Sequence, residues 1–410
     1  MSITLSQARE KLEKYGQEHV LKYYGELSDG EKAALLAQIE VSDMDVIDSC
    51  RHPEELLQRG AITPLAAMQL PEIEAERESF TAAGLEAIRA GKVGAVLLAG
   101  GMGTRLGSDE PKGVYNVGIH RKLYIFECLI NNLLDVVRQA DAWIHLFVMT
   151  SDKNHETTVR FLTAHDFFGY QAEYVHFFRQ KMALAVDYDG KIFLEEKGKM
   201  ASSPNGNGGW FVSLKDAGLL ELVHETGIEW LNVFAVDNVL QKIADPCFVG
   251  ATIRKDCAVG AKVVSKVTPD EKVGAICLED GKPSIVEYYD MTEELLEAKD
   301  AKGEPAYNFG VILNYLFSVA QLERIWSQSL PLHVVEKKIP YIGEDGIPVK
   351  PEEPNGYKFE NLVLDMIHQM ESCLPFEVVR EKEFAPIKNR TGIDSVESAR
   401  ELLRRNGVEL

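Results

Sequence analysis

The 410-residue sequence contains no run of about 18 or more apolar residues, which excludes an evident membrane-spanning helix. Its first residues, MSITLSQAREKLEKYGQEH, are charged and amphipathic from the outset and lack the apolar centre of a signal peptide, so a cytoplasmic location without membrane association is expected. Cysteine is sparse. The six cysteines (Cys50, Cys128, Cys247, Cys257, Cys277 and Cys373) form no C-x-x-C pair and no histidine follows at zinc-finger spacing, which predicts reduced, mostly buried thiols. Positive charge is in deficit: 44 Lys and Arg stand against 64 Asp and Glu, a formal net charge of −20. A nucleic-acid partner needs a basic footprint, and none is available. Also missing is a G-x-S-x-G elbow, and none of the ten histidines sits beside a Ser or Cys nucleophile motif.

With 45% hydrophobic residues the chain can bury a substantial core, and its length predicts one large central domain with appendages or two to three domains. Residues 1–90 read as a helical region. Ala33, Leu35, Leu36, Ile39, Val41 and later Leu56 and Leu57 recur at roughly helical spacing, with Pro53, Pro64 and Pro71 as breaks or starts. From Val93 the pattern alternates: strands at 93–98, 144–149, 174–178 and 231–236, with helices at 124–137, 155–165 and 214–225 between them. That alternation predicts a doubly wound α/β sheet. Beyond 250 the spacing shortens to strands at 258–264, 273–277 and 284–289, the last two joined by a Glu279-Asp-Gly-Lys turn. Residues 295–304 read as a charged loop or helix face, and 395–406 as a terminal helix. The expected division is a helical region 1–90, an α/β catalytic domain 91–335 and a C-terminal region 336–410.

The strongest local signal is LLAGGMGTRLG at 97–107, followed by PKG at 111–113. A glycine loop directly after a buried strand lets backbone N–H groups approach a nucleotide at the carboxyl end of a sheet. Counting removes two common readings. A dinucleotide fingerprint begun at Gly101 requires glycine where Leu106 stands, and no Gly-Lys-Ser/Thr triplet ends the loop as a P-loop requires. What remains is a loop with four glycines and two cations, Arg105 and Lys112, within 13 residues. Phosphoryl and nucleotidyl transfer need charge neutralisation and in-line alignment, which such a loop can supply.

These residues resemble the signature loop of the UTP-dependent sugar pyrophosphorylases. Further stretches resemble the eukaryotic-type UDP-N-acetylglucosamine pyrophosphorylase branch: MTS at 149–151, PNGNGG at 204–209, VDN at 236–238, VEY at 286–288, KKIPY at 337–341, KPEEPNG at 350–356 and FAPIKN at 384–389. They run in family order over nearly three quarters of the chain. The resemblance implies a doubly wound mixed-sheet, Rossmann-like and GT-A-like nucleotidyltransferase domain with a helical N-terminal region and a small C-terminal region. It implies that a sugar 1-phosphate attacks the α-phosphorus of UTP, with pyrophosphate leaving and Mg2+ as the metal. By the same resemblance Arg105, Lys112 and Lys388 handle phosphates, and Asp237 at a strand end holds the metal. Gly100, Gly101 and Gly206 present backbone to uridine, and Gln180 reads the uracil edge with its paired donor and acceptor, with Arg179 as the competing reader. Asn207, Glu287 and Asn308 bond sugar hydroxyls. A monomer or homodimer is expected.

Two departures bear on the sugar. Leu362 and Leu364 stand where the branch tends to carry aromatic residues, and Val311 stands where a second Asn is expected. N-acetylglucosamine 1-phosphate is the expected acceptor. Glucose or galactose 1-phosphate is the alternative, and a non-catalytic nucleotide-sugar-binding homologue is a third reading.

Overall fold

The computed structural model of the chain describes residues 3–50, 59–326 and 330–410, so Pro53, Leu56 and Leu57 lie outside the described residues. The chain forms two compact units assembled from separated stretches: Met1–Arg59, Lys181–Gly209 and Leu330–Val363 in one, Gly60–Gln180, Trp210–Ser329 and Leu364–Leu410 in the other. These units cut across the three consecutive regions read from the sequence.

The larger unit is built on a ten-stranded mixed sheet. Val93–Leu98 lies between Leu146–Thr150 and Trp230–Ala235, parallel to both, and Val175–Arg179 extends the parallel set beyond Leu146–Thr150. All six residues of Val93–Leu98 are buried, as expected of a parallel strand covered on both faces. Phe309–Ser318 runs antiparallel to Trp230–Ala235 on one side and to Val259–Ser265 on the other, and Cys373–Glu377 lies parallel to Val259–Ser265. The carboxyl ends of six strands therefore share one edge of the sheet, and the start of Phe309–Ser318 returns to that edge. The predicted Asp280-Gly281 turn joins Ala275–Glu279 to Lys282–Val286, with φ of 50° and 79° matching the twist of a two-residue hairpin.

Helix Ile125–Ala140 buries an apolar face in the main core and stops at Asp141, which takes a left-handed φ of 51°. Helix Leu70–Arg89 packs on helix Pro246–Arg254 with no side chain between their backbones. A Cβ on Gly84 would lie 1.9 Å from the Pro246 carbonyl oxygen, and one on Gly250 would lie 1.8 Å from that of Phe80. Two readings need correction. The region 1–90 is not wholly helical, because Ile62–Pro64 is a strand paired with Ala275–Glu279. The helix expected at 214–225 is two, Trp210–Asp216 and Leu219–Glu225, divided at Gly218 with φ 74°. The charged stretch 295–304 agrees with its reading as a loop or helix face: it begins with the end of a short helix, Glu293–Glu297, and continues outside it.

In the smaller unit, helices Leu5–Lys14 and Asp29–Val41 contribute Leu12, Leu35 and Ile39 to a core shared with Leu184, Val186 and Phe359. Each helix starts with a reciprocal cap, Thr4 with Gln7 and Ser28 with Glu31. The strands His333–Lys337, Gly356–Glu360, Met182–Asp187 and Ser202–Pro204 form its four-stranded sheet in that order. Cys128, Cys247, Cys257, Cys277 and Cys373 are free thiols. No described helix is long and apolar enough to cross a membrane.

Candidate functional site

The glycine loop leaves the carboxyl end of Val93–Leu98 in the middle of the larger unit's sheet. Its course is fixed by main-chain bonds: Ala99 N–H to the Met149 carbonyl at 2.8 Å, Gly103 N–H to Glu110 at 2.8 Å, and Lys112 N–H to Gly101 at 3.1 Å. The last of these folds the PKG stretch back onto the loop and brings Lys112 under Gly101. Asn154, which the sequence reading did not single out, is fully buried beneath the loop. Its Nδ2 donates to the carbonyl of Ala99 at 2.9 Å and its Oδ1 accepts from Ser151 N–H at 2.8 Å. The only sequence sign of it was its place just past the MTS stretch.

The two central glycines differ in what they admit. A Cβ on Gly100 would lie 2.4 Å from Gln180 Oε1, so this glycine makes room for the Gln180 side chain. A Cβ on Gly101 would meet nothing within 4 Å, and Gly101 has no positive φ. The fold itself gives no reason for a glycine there. A bare backbone facing open space is what close approach of a ligand requires. Gln180 is buried at the end of Val175–Arg179, whereas the competing reader Arg179 is engaged by Glu156 at 2.8 Å and Asp152 at 3.7 Å.

Asp237 follows the neighbouring strand Trp230–Ala235, and its Oδ2 lies 3.7 Å from Lys112 Nζ. Both side chains are partly exposed, so the pair adds little to stability and can open to a ligand. The Asp237 carbonyl accepts from Ile387 N–H at 2.8 Å, which sets the FAPIKN stretch beside this strand end. Lys388 itself pairs with Asp394, Nζ to Oδ2 at 3.0 Å. Arg105 is exposed on the turn Thr104–Leu106 and makes no hydrogen bond or ion pair among the described residues. The same edge carries Asn308, whose carbonyl accepts from Lys266 N–H at 2.8 Å. Glu287 ends the hairpin beside Gly274 and Val311. A Cβ on Gly274 would lie 3.6 Å from the Glu287 carboxyl carbon and 3.5 Å from Val311 Cγ2. Arg105, Lys112, Asp237, Lys388, Gly100, Gly101, Gln180, Glu287 and Asn308 thus all lie on loops at or near the shared carboxyl edge of one sheet. That is where an open α/β sheet binds its ligand.

Gly206 and Asn207 belong to the smaller unit. There the Gly206–Gly208 turn packs on 361–363: Gly208 N–H donates to Asn361 O at 2.8 Å, and Asn207 Oδ1 accepts from Val363 N–H at 2.9 Å. The Asn207 oxygen is thus engaged within this turn. Leu362 lies against this turn, its carbonyl carbon 2.7 Å from where a Gly208 Cβ would be. No group of three or more His, Cys, Asp or Glu able to hold a metal ion occurs among the described residues.

Residues 51–406 match the model of the family described as UTP–glucose-1-phosphate uridylyltransferase (UDPGP). The mouse UDP-N-acetylhexosamine pyrophosphorylase-like protein 1 is 36% identical over 406 residues, covering 93% of this chain and 80% of its own length. The Saccharomyces cerevisiae UDP-N-acetylglucosamine pyrophosphorylase is 35% identical over 409 residues, covering 92% and 84%. Among solved structures, the uridine diphosphate N-acetylglucosamine pyrophosphorylase of Trypanosoma brucei, in complex with an inhibitor, superposes with a TM-score of 0.83. It is 28% identical and covers 98% of this chain and 85% of its own.

Proposed function

The chain belongs to the UTP–glucose-1-phosphate uridylyltransferase family, and from that membership we propose that it transfers the uridylyl group of UTP to N-acetylglucosamine 1-phosphate, releasing pyrophosphate. The observation that carries the reading is the open cradle at Gly101 beside the Lys112–Asp237 pair.

The phosphate dianion of the sugar is already a nucleophile, so no general base is needed. What the protein must supply is alignment and neutralisation of the triphosphate. Gly101 lets the nucleotide lie against main chain, Gly100 leaves room for the Gln180 side chain, and the amide of Gln180 offers one donor and one acceptor to the imide edge of uracil. Arg105, exposed and unengaged among the described residues, presents a planar fork to phosphate oxygens, and Lys112 a compact charge. Both neutralise the departing pyrophosphate. Lys388 acts on the phosphate being transferred, exchanging Asp394 for that partner. Removing one such preorganised donor typically costs about 10²–10³ in kcat.

Asp237 suits Mg2+, which takes one or two carboxylates and completes its shell with substrate phosphates and water. Its side chain is partly exposed, and its only partner among the described residues is Lys112 at 3.7 Å, a contact long enough to be replaced. When bound, the ion supplies further neutralisation of the triphosphate. Glu287 and Asn308 meet the sugar hydroxyls, and Asn207 is assigned to the same task by resemblance. The acidic composition and free thiols agree with a cytoplasmic setting.

A second reading follows from Val311. An isopropyl group beside Glu287 offers no hydrogen bond, and an apolar wall discriminates by only about 1–3 kcal/mol per methylene. Glucose or galactose 1-phosphate would then be accepted with modest loss. The test is UDP-sugar formation from UTP and a panel of hexose and N-acetylhexosamine 1-phosphates, compared by kcat/KM. N-acetylglucosamine 1-phosphate should lead. A lead for glucose 1-phosphate transfers the assignment to the second reading.

A further inference from the structure

Lys262, on Val259–Ser265, has no exposed surface. Its Nζ donates to Glu383 Oε2 at 2.5 Å, to Asp245 Oδ2 at 3.0 Å and to the Lys242 carbonyl at 3.2 Å, so all three N–H groups are used. Burial pushes its pKa down, but Asp245 and Glu383 outweigh it and the net direction is up. The ammonium therefore stays charged. Nothing in the substrate chemistry uses this cation. Nor is a buried ion pair a good source of stability, since apolar side chains of equal volume often serve as well or better. What such a pair does provide is a fixed position.

The position it fixes is that of residues 383–387. Glu383 also offers its main-chain oxygen to Asn238 Nδ2 at 2.8 Å, and Asn238 Oδ1 accepts from Ala385 N–H at 2.9 Å. Val239 N–H reaches the Ala385 carbonyl at 3.3 Å, and Ile387 N–H the Asp237 carbonyl at 2.8 Å. The five residues form an antiparallel strap along 237–239, gripped at one end by a buried charge and in the middle by a buried amide. Lys388 is the next residue after the strap.

We propose that the buried Lys262–Glu383 pair, with Asn238, is a positioning device that holds the strap in register and so aims the Lys388 ammonium at the site next to Asp237. The inference rests on the proposed role of Lys388. A flexible four-carbon side chain can place its charge only as well as its backbone is placed, and misplacement by about 1 Å can cost about 10²-fold in rate.

The test is a double-mutant cycle between the clamp and Lys388. The clamp is replaced by Lys262→Met with Glu383→Leu and Asp245→Asn, which removes all three charges of the cluster together while the side chain at 245 can still accept from Cys247 N–H, and is combined with Lys388→Ala. Readouts are kcat by pyrophosphate release, the Kd for UTP by calorimetry, and near-ultraviolet circular dichroism. In the native background the clamp change should lower kcat by at least about tenfold while leaving the Kd for UTP within about threefold. In the Lys388→Ala background the same change should lower kcat by less than about threefold, because the group being aimed is already gone. An unchanged kcat, or an equal loss in both backgrounds, overturns the clamp while the role of Lys388 stands. An unchanged kcat in Lys388→Ala alone overturns that role and the clamp with it. Should this triple change fail to fold, Asn238→Ala replaces it in the same cycle. It breaks the strap's middle grip without stranding a charge, and is read by the same criteria.

Discussion

Gly101→Ala separates what the fold needs from what a ligand needs. The added methyl meets no atom of the chain within 4 Å, and Gly101 lacks the positive φ that would strain an alanine. The folded state therefore bears no steric cost, while the unfolded chain loses conformational freedom. The expected effect on stability is neutral to favourable, about 0.4–1 kcal/mol. On a nucleotide lying against this backbone the effect is opposite. A Cβ stands about 1.5 Å from the main chain, enough to lift a phosphate or ribose out of hydrogen-bond range of the loop's N–H groups. A hydrogen bond to a charged group is worth about 1.5–3 kcal/mol, so losing one weakens UTP binding by about 10- to 150-fold. Calorimetric titration with UTP and a thermal melt of the same sample read both terms. A variant that melts at or above the wild-type temperature and binds UTP tenfold or more weaker agrees with the cradle. Unchanged UTP affinity refutes it, and a lower melting temperature refutes the claim that the fold has no use for this glycine.

Lys112→Ala should lower kcat for pyrophosphate release by about 10²–10³. Its melting temperature should stay near wild type, because the partly exposed 3.7 Å pair with Asp237 contributes at most about 1 kcal/mol. Asp237→Asn should raise the Mg2+ concentration needed for half-maximal activity while UTP binding without metal changes little; a metal titration unchanged from wild type removes Asp237 from the metal role. Gly84→Ala places a methyl against the Pro246 carbonyl, and forcing helix Leu70–Arg89 away from its neighbour should cost about 1–3 kcal/mol. A melt several degrees lower with kcat intact at 25 °C is expected, and an unchanged melt contradicts the packing. His176 lies 2.9 Å from His145, and burial, with the neighbouring imidazole second, pushes its pKa down to about 4. The unfolded chain takes up a proton near pH 6.5 that the folded chain refuses, so stability should fall as pH drops from about 6.5 towards 4. Denaturant melts of His176→Gln should show a shallower fall over that window.

The parallel half of the sheet was legible because its strands are buried on both faces and spell continuous apolar runs, as in Val93–Leu98. Gly218 and the strand Ile62–Pro64 were harder. The first interrupts a helical pattern with a single residue. The second is three residues long and is defined by a partner more than 200 positions away, Ala275–Glu279. The division into units was not legible either, since each is assembled from three stretches and sequence order says nothing of which stretches share a core. In the site, Arg105 and Lys112 stand out as cations beside glycines, whereas the roles of Asp237 and Lys388 come from the family resemblance. The supports escaped notice. Asn154, Asn238, Lys262 and Glu383 are ordinary residue types in sequence, and only burial and the bonds they complete distinguish them.

The central claim is uridylyl transfer to a sugar phosphate. It is tested most directly by incubating the protein with Mg2+, N-acetylglucosamine 1-phosphate and, in turn, UTP, CTP, GTP and ATP, following pyrophosphate and nucleotide-sugar together. The account predicts equal amounts of pyrophosphate and UDP-N-acetylglucosamine with UTP, and little turnover with the other three. No turnover with UTP, with this sugar phosphate or any hexose 1-phosphate, would contradict it.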